Sequence, residues 1–341
     1  MADKELELLC IGNALIDLFA NGEEGIDYGL TQSVQHIEIE KLKKILLLLS
    51  DSVTVSGGGA ANVAKVAGYL GAKVSFTGAV GCEGGGDSGK GVDDFGQLFA
   101  GQLRPAAVKL RLAEKPSPTG VCLMLRIGEK TQIAASPSAA LELSEGDISE
   151  GDIKAAQVVV IDGFMLQRPG LVRRILAFAG KHETVAAIDI GSAAIASERA
   201  AEIAAYTEEY PLILFMNEEE ARAFCEGLND ELHSSLRASV RDNCKKFPII
   251  VVKLAGRGAV CYAGGKSYSA GTEAVTPLES TGAGDAFCAG FLTAWVRGKP
   301  IPECAALGNK AAGIMLNVMG TQISGEEKKS LARLLEPTAP P

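Results

Sequence analysis

A chain of 341 residues that is 47% hydrophobic, with 40 glycines and only 5% aromatics, can bury a sizeable core and is rich in tight turns, which favours layered helices and strands over a β-sandwich. Its net charge of −9 argues against broad binding to nucleic acid or to an anionic membrane, so any phosphate must be held by local amides, a few cations or a metal. Eight cysteines lack metal-ligand spacing and stand beside only 3 histidines. They read as small buried side chains, and with a charged N-terminus and no bilayer-length apolar run the expected setting is reducing and cytoplasmic.

In chain order, residues 6–11 read as a first strand ending at Gly12. Residues 39–49 are helical in pattern. Residues 53–55 form a short apolar run that leads into Ser56-Gly57-Gly58-Gly59, and 60–70 fit a helix. Compact apolar strands are expected at 74–77, 158–161, 185–190, 212–215 and 249–252. Helical segments at 171–178 and 218–225 lie between them. That alternation is the βαβ rhythm of a mainly parallel sheet covered on both faces. Two segments break it, 19–37 and 115–135, and both suit strands of a small second sheet: a lid over a cleft, or an ordinary edge hairpin. Residues 1–330 then form a single α/β domain, and 331–341 a C-terminal tail.

Three glycine-rich stretches need separate readings. Residues 84–90 superficially resemble a P-loop, but Gly91 stands where a magnesium-holding hydroxyl belongs, so 83–92 reads as a flexible loop. Gly57-Gly58-Gly59 lacks the dinucleotide spacing because Ala61 and Asn62 follow. Close backbone approach to a small ligand, with Asn62 offering its amide, competes with a plain strand–helix turn. The third stretch, Ser280-Thr281-Gly282-Ala283-Gly284-Asp285-Ala286-Phe287, precedes an apolar run to Val296. It reads as a turn opening a helix, whose unpaired N–H groups and dipole suit a phosphoryl group. Asp285 in the first turn is either a helix cap or a base that takes a hydroxyl proton.

The second and third stretches together closely resemble the two signatures of the ribokinase-like, or PfkB, family of carbohydrate and nucleoside kinases, and the likeness runs from about residue 6 to 325. The resemblance implies a three-layer α/β fold with a mainly parallel central sheet flanked by helices, plus a small β-sheet lid. It implies transfer of the γ-phosphoryl of ATP to a primary hydroxyl. Asp285 would be the base, and the backbone of Gly282, Ala283 and Gly284 the anion hole. Asn13, Asp17, Gly57, Gly58 and Asn62 would hold the acceptor. Asn217, Glu220, Lys253, Gly256, Gly258 and Asn309 would hold ATP, with Glu220 supporting Mg2+ through water. Asp93-Asp94-Phe95-Gly96 matches a helix-start motif of the family. A monovalent-cation site for K+ would draw on Glu279, Thr281, Met315, Val318, Gly320 and Ser324. Glu279 stands where the family usually has Asp, and Lys253 and Ala255 replace Thr and Gly of its nucleotide loop.

The acceptor is expected to be a sugar or sugar-like molecule. A nucleoside is the alternative, suggested by the 45 residues between Gly12 and Gly57 and by Gly308-Asn309-Lys310, with Phe19 or Phe164 as base contacts. Lys130 is either a phosphate clamp in the lid or a solvated hairpin lysine. A catalytically weak nucleotide or sugar sensor is the competing class, opposed by retention of Asp285, Glu220 and Asn62. An edge strand lets the lid close within a monomer or pair in a homodimer.

Overall fold

The computed structural model describes residues 4–83, 91–228, 249–273, 275–318 and 320–335. Its strands in chain order are β1 (Leu6–Ile11), β2 (Leu15–Asn21), β3 (Val34–His36), β4 (Ser52–Gly57), β5 (Val74–Gly81), β6 (Lys109–Lys115) and β7 (Thr119–Ile127). They continue as β8 (Lys130–Ser138), β9 (Ala156–Asp162), β10 (Val185–Asp189), β11 (Leu212–Asn217), β12 (Ile249–Lys253), β13 (Ala259–Ala263) and β14 (Lys266–Ala270). The large sheet has the order β14-β13-β12-β11-β10-β9-β1-β5-β6, and the small one β3-β8-β7-β2-β4. Every pairing from β12 to β6 is parallel; β13 and β14 add an antiparallel hairpin at one edge.

The apolar runs are continuous because both faces of the large sheet are covered. Leu8, Cys10, Val158, Val160, Phe215 and Val251 face one core, with the helices Gly59–Tyr69, Ala283–Val296 and Ile301–Met315. Leu9, Ile11, Val159, Ile161, Leu214 and Val252 face the other, with Pro169–Lys181, Ala200–Glu209 and Glu218–Gly227. Period-two alternation therefore splits each strand between two cores. The layered α/β architecture with a second sheet is the one expected.

Details differ from expectation. The run at 53–55, left without a sheet by the pattern, belongs to β4 of the small sheet, antiparallel to β2. Of the 19–37 segment only its ends are strand, and β2 begins earlier, at Leu15, so Asp17 sits on the small sheet. The edge strand β6 and the β13–β14 hairpin escaped the reading because charged and small residues interrupt their apolar pattern. Helix Gly325–Arg333 runs into the stretch 331–341 expected as a tail and buries Leu331. At the glycine-rich loop, Cys82 bridges Val92 and Glu83 N–H donates to Gly91; residues 84–90 lie outside the described ones.

Candidate active site

The parallel strands end in a row of polar residues, at the carboxyl edge where open α/β sheets bind ligands. Gly12 follows β1, Asp162 ends β9, Asp189 ends β10, Asn217 ends β11 and Lys253 ends β12. Register sets Asp162 beside Asp189, and Asn217 beside Lys253. Helix Ala283–Val296 starts against this row. Its preceding residue, Gly282, has φ +80, and an added Cβ would lie 2.6 Å from the Thr321 methyl, so glycine is required there. No side chain caps the helix. Ala283 N–H turns to the Ser280 carbonyl at 3.3 Å, while the N–H groups of Gly284 and Asp285 find no partner among the described residues. The free donors thus lie at 284–285, one residue further along than the stretch 282–284 expected as an anion hole.

Asp285 Oδ2 accepts from Asn62 Nδ2 at 2.8 Å, so the two signature segments meet although 223 residues separate them. Burial, then Asp189, raise the Asp285 carboxyl to about 7; Asn62 and Lys253 pull the other way, and Asp162 adds to the rise. Asn62 Oδ1 is buried without a partner, an acceptor open to a hydroxyl donor. Across the β2–β4 pair, the Asp17 carboxyl packs on Gly57, leaving no room for a Cβ there. Asp17 is 7% exposed and raised to about 7, first by burial, against the pull of Lys65 and with a push from Glu279. Gly58, φ +95, lies on the Asn13 carbonyl, and Gly59 faces Asp285 Oδ1. Asn13, Asp17, Gly57, Gly58, Asn62 and Asp285 therefore share one corner.

A cleft of about 1040 Å3 opens on the other side of Asp285, lined among others by Asn217, Glu220, Lys253, Gly256, Gly258 and Asn309, the whole set expected to hold ATP. Asn217 and Glu220 form a reciprocal cap: each accepts from the other's N–H at 2.8–2.9 Å. Burial raises Glu220, and Lys253 opposes. Lys253 Nζ contacts Asp189 at 2.7 and 2.9 Å and stands next to Gly284. Its pKa is raised: the pull of burial is outweighed by Asp189, Cys288 and Glu220. Gly258, φ +85, packs on the Ala270 carbonyl, and Asn309 Nδ2 donates to the carbonyls of Ala270 and Gly271.

Other expected residues go elsewhere. Lys130 is an exposed residue at the end of the β7–β8 hairpin. Phe19 packs on Gly320 and Phe164 on Gly191, on two different elements. No group of three or more His, Cys, Asp or Glu side chains that could hold a metal occurs among the described residues. A hydrated divalent ion carried by phosphates suits that donor set better than a protein cage.

Sequence reading missed Asp162, Asp189, Arg168 and Lys65. Asp162 accepts from Phe164 N–H at 3.0 Å, and burial raises it. Arg168 donates to Asn13 Oδ1 at 3.0 Å and fixes that amide. The two aspartates carried a signal, a carboxylate ending an apolar run.

The family described as pfkB family carbohydrate kinase matches residues 7–329. The 5-dehydro-2-deoxygluconokinase of Bacillus thuringiensis (strain Al Hakam) is 24% identical over 336 residues, covering 92% of this chain and 90% of its own. The adenosine kinase of Saccharomyces cerevisiae is 25% identical over 295 residues, 83% and 84% of the two chains. In fold, adenosine kinase from Sinorhizobium meliloti superposes with a TM-score of 0.81 at 23% identity over 96% of this chain and 98% of its own. A probable sugar kinase from Rhizobium etli CFN 42 reaches 0.83 at 20% identity, over 97% and 100%. With a family match across nearly its whole length and both signatures meeting at one carboxylate, the chain belongs to the pfkB family of carbohydrate kinases, phosphotransferases with an alcohol acceptor.

Proposed function

We propose that this kinase moves the γ-phosphoryl of ATP to a primary hydroxyl of a sugar or sugar-like acceptor, with Asp285 as general base. The observation that carries the reading is the position of Asp285: held by Asn62 on the acceptor side, bordering the cleft on the other, and next to unpartnered helix N–H groups. A buried carboxyl raised to about 7 is matched to accepting a hydroxyl proton near neutral pH. Asp17 and the free Asn62 Oδ1 are acceptors for the other hydroxyls of a polyol, which orient the attacking one. The Gly284 and Asp285 amides and Lys253 stabilise charge on the moving phosphoryl. A divalent ion supplies charge neutralisation on the nucleotide phosphates when bound. Glu220, its carboxylate fixed by Asn217, would support that ion.

A sugar is favoured over a nucleoside because Asp17 and the free Asn62 Oδ1 offer this corner several hydroxyl acceptors, which suit a polyol. The adenosine kinases among the relatives keep nucleosides as the second reading. One screen decides between them: ATP consumption with Mg2+ against sugars, sugar acids and nucleosides. A polyol or sugar acid is expected to turn over. Turnover of nucleosides alone selects the second reading, and ATP binding with no acceptor phosphorylated overturns the assignment.

A further inference from the structure

We propose that Lys65 is a built-in cation, whose ammonium ties the acceptor strand to the phosphate-binding turn in place of a dissociable monovalent ion, so that turnover needs no potassium. The inference rests on the kinase reading above.

Lys65 is the one charged side chain in the helix Gly59–Tyr69, GAANVAKVAGY, and is only 3% exposed. A charge buried this deeply must be compensated. Among the described residues no carboxylate forms an ion pair with it. Instead Nζ donates to the Thr321 hydroxyl at 2.8 Å, the Thr321 carbonyl at 3.1 Å and the Ser56 carbonyl at 3.4 Å. The Thr321 hydroxyl gives its own proton to the Ser56 carbonyl at 3.0 Å, so towards Lys65 it accepts. All three contacts then need an N–H from Lys65, and only the charged ammonium has three. Two carbonyls and a hydroxyl are also the oxygens that a bare monovalent cation would gather.

The two anchors of this cage lead to the two halves of the site. Ser56 precedes Gly57, against which Asp17 packs. The Thr321 methyl supports Gly282, where the phosphate-binding helix begins. Asp17 and Asp285 both feel the Lys65 charge, which favours their ionised forms. Burial lowers the lysine's own pKa to about 7, against the pull of these two carboxylates; the three oxygens around Nζ match the three donors of the ammonium.

Of the residues expected to bind potassium, Glu279, Thr281, Ser324 and Met315 are engaged otherwise. Both Glu279 oxygens accept from Thr281, at 2.8 Å from its N–H and 2.9 Å from its hydroxyl. Ser324 N–H and hydroxyl go to Glu327. The Met315 carbonyl takes Val318 N–H at 3.1 Å.

The experiment compares the wild type with Lys65→Met, uncharged at similar length, and Lys65→Ala, which leaves room for an ion. With the acceptor found by screening, wild-type turnover is expected to agree within about twofold between potassium and tetramethylammonium, whereas Lys65→Met loses about 100-fold in kcat with the KM for ATP little changed. Potassium, rubidium or methylammonium restores part of the activity to Lys65→Ala and none to Lys65→Met. Rubidium-soaked crystals should show an anomalous peak between Ser56 and Thr321 in Lys65→Ala and none in the wild type. A wild type that stalls without potassium, a wild-type rubidium peak there, or near-normal kcat in Lys65→Met overturns the inference. If no acceptor is phosphorylated the kinase reading fails, and the rubidium maps still decide Lys65. The two wild-type arms decide it if the variants do not fold.

Discussion

Asp285 shows how one residue can be costly to the fold and required by the chemistry. Burial among Asp189 and Asp162 raises its carboxyl to about 7, so the folded protein keeps a proton that the unfolded chain, near pH 4, has released. Stability from this group is therefore greatest below about pH 4 and declines as pH rises through about 7. The reaction needs the opposite form: turnover should fall with a one-proton slope as pH drops below about 7. Asp285→Asn separates the two effects. It should lower kcat by about three orders of magnitude or more while ATP binding stays within a few-fold. Its thermal midpoint at pH 8 should equal or exceed that of the wild type by roughly a few degrees, a gap that closes towards pH 5. Normal turnover in the variant would remove Asp285 from the chemistry. A midpoint well below wild type at pH 8 would show that the carboxylate stabilises the fold instead. Asp285 was legible in the sequence because glycines and a carboxylate stood together. Asp162 and Asp189 carried only the faint signal of a carboxylate ending an apolar run, and Lys65 none, because each gains its meaning from neighbours that only the sheet order or the packing of a distant turn supplies.

At the scale of elements, short polar links decide how strands and helices meet. Asp93 caps the helix Asp94–Leu103 by accepting from Gly96 N–H at 2.8 Å. Its carboxylate also takes Thr119 N–H at 2.7 Å and the Thr119 hydroxyl at 2.6 Å, at the start of β7. Thr119 in turn accepts from Gly81 N–H, at the end of β5. One side chain thus joins a helix of the main layer to the root of the small sheet. Asp93→Ala should cost about 2 kcal/mol: about 1 for the lost cap and the rest for the Thr119 groups left unsatisfied. Urea unfolding measures it; a loss under about 0.5 kcal/mol, the range of ordinary surface changes, would mean that water replaces the carboxylate. The βαβ rhythm that places such elements was readable because strands covered on both faces stay apolar throughout. The small sheet was readable only as two odd segments, since β4 looks like one more buried strand until its antiparallel partner β2 is known.

Across the whole molecule, the question is whether the small sheet closes over its own cleft or pairs with another chain. Its β2 and β4 carry Asp17 and Gly57, so any movement of this sheet moves the acceptor site relative to Asp285. Part of the outer edge of β4 is already covered. Gln102 accepts from Ser56 N–H at 2.6 Å and donates to the Thr54 carbonyl at 3.1 Å, filling the positions that another strand would use. The opposite edge, β3, is only three residues long. Both features act against strand exchange between chains, and closure within one chain is the movement to test. Closure would exclude water, which competes with the alcohol for the phosphoryl group. Small-angle scattering tests this directly. A compact chain of this length has a radius of gyration of about 20 Å, which should shrink when acceptor and a non-hydrolysable ATP analogue are both present, at the mass of one chain. Gln102→Ala, which uncovers the β4 edge, should promote concentration-dependent association. A ligand-induced doubling of mass in the wild type would instead place the closing contact between two chains.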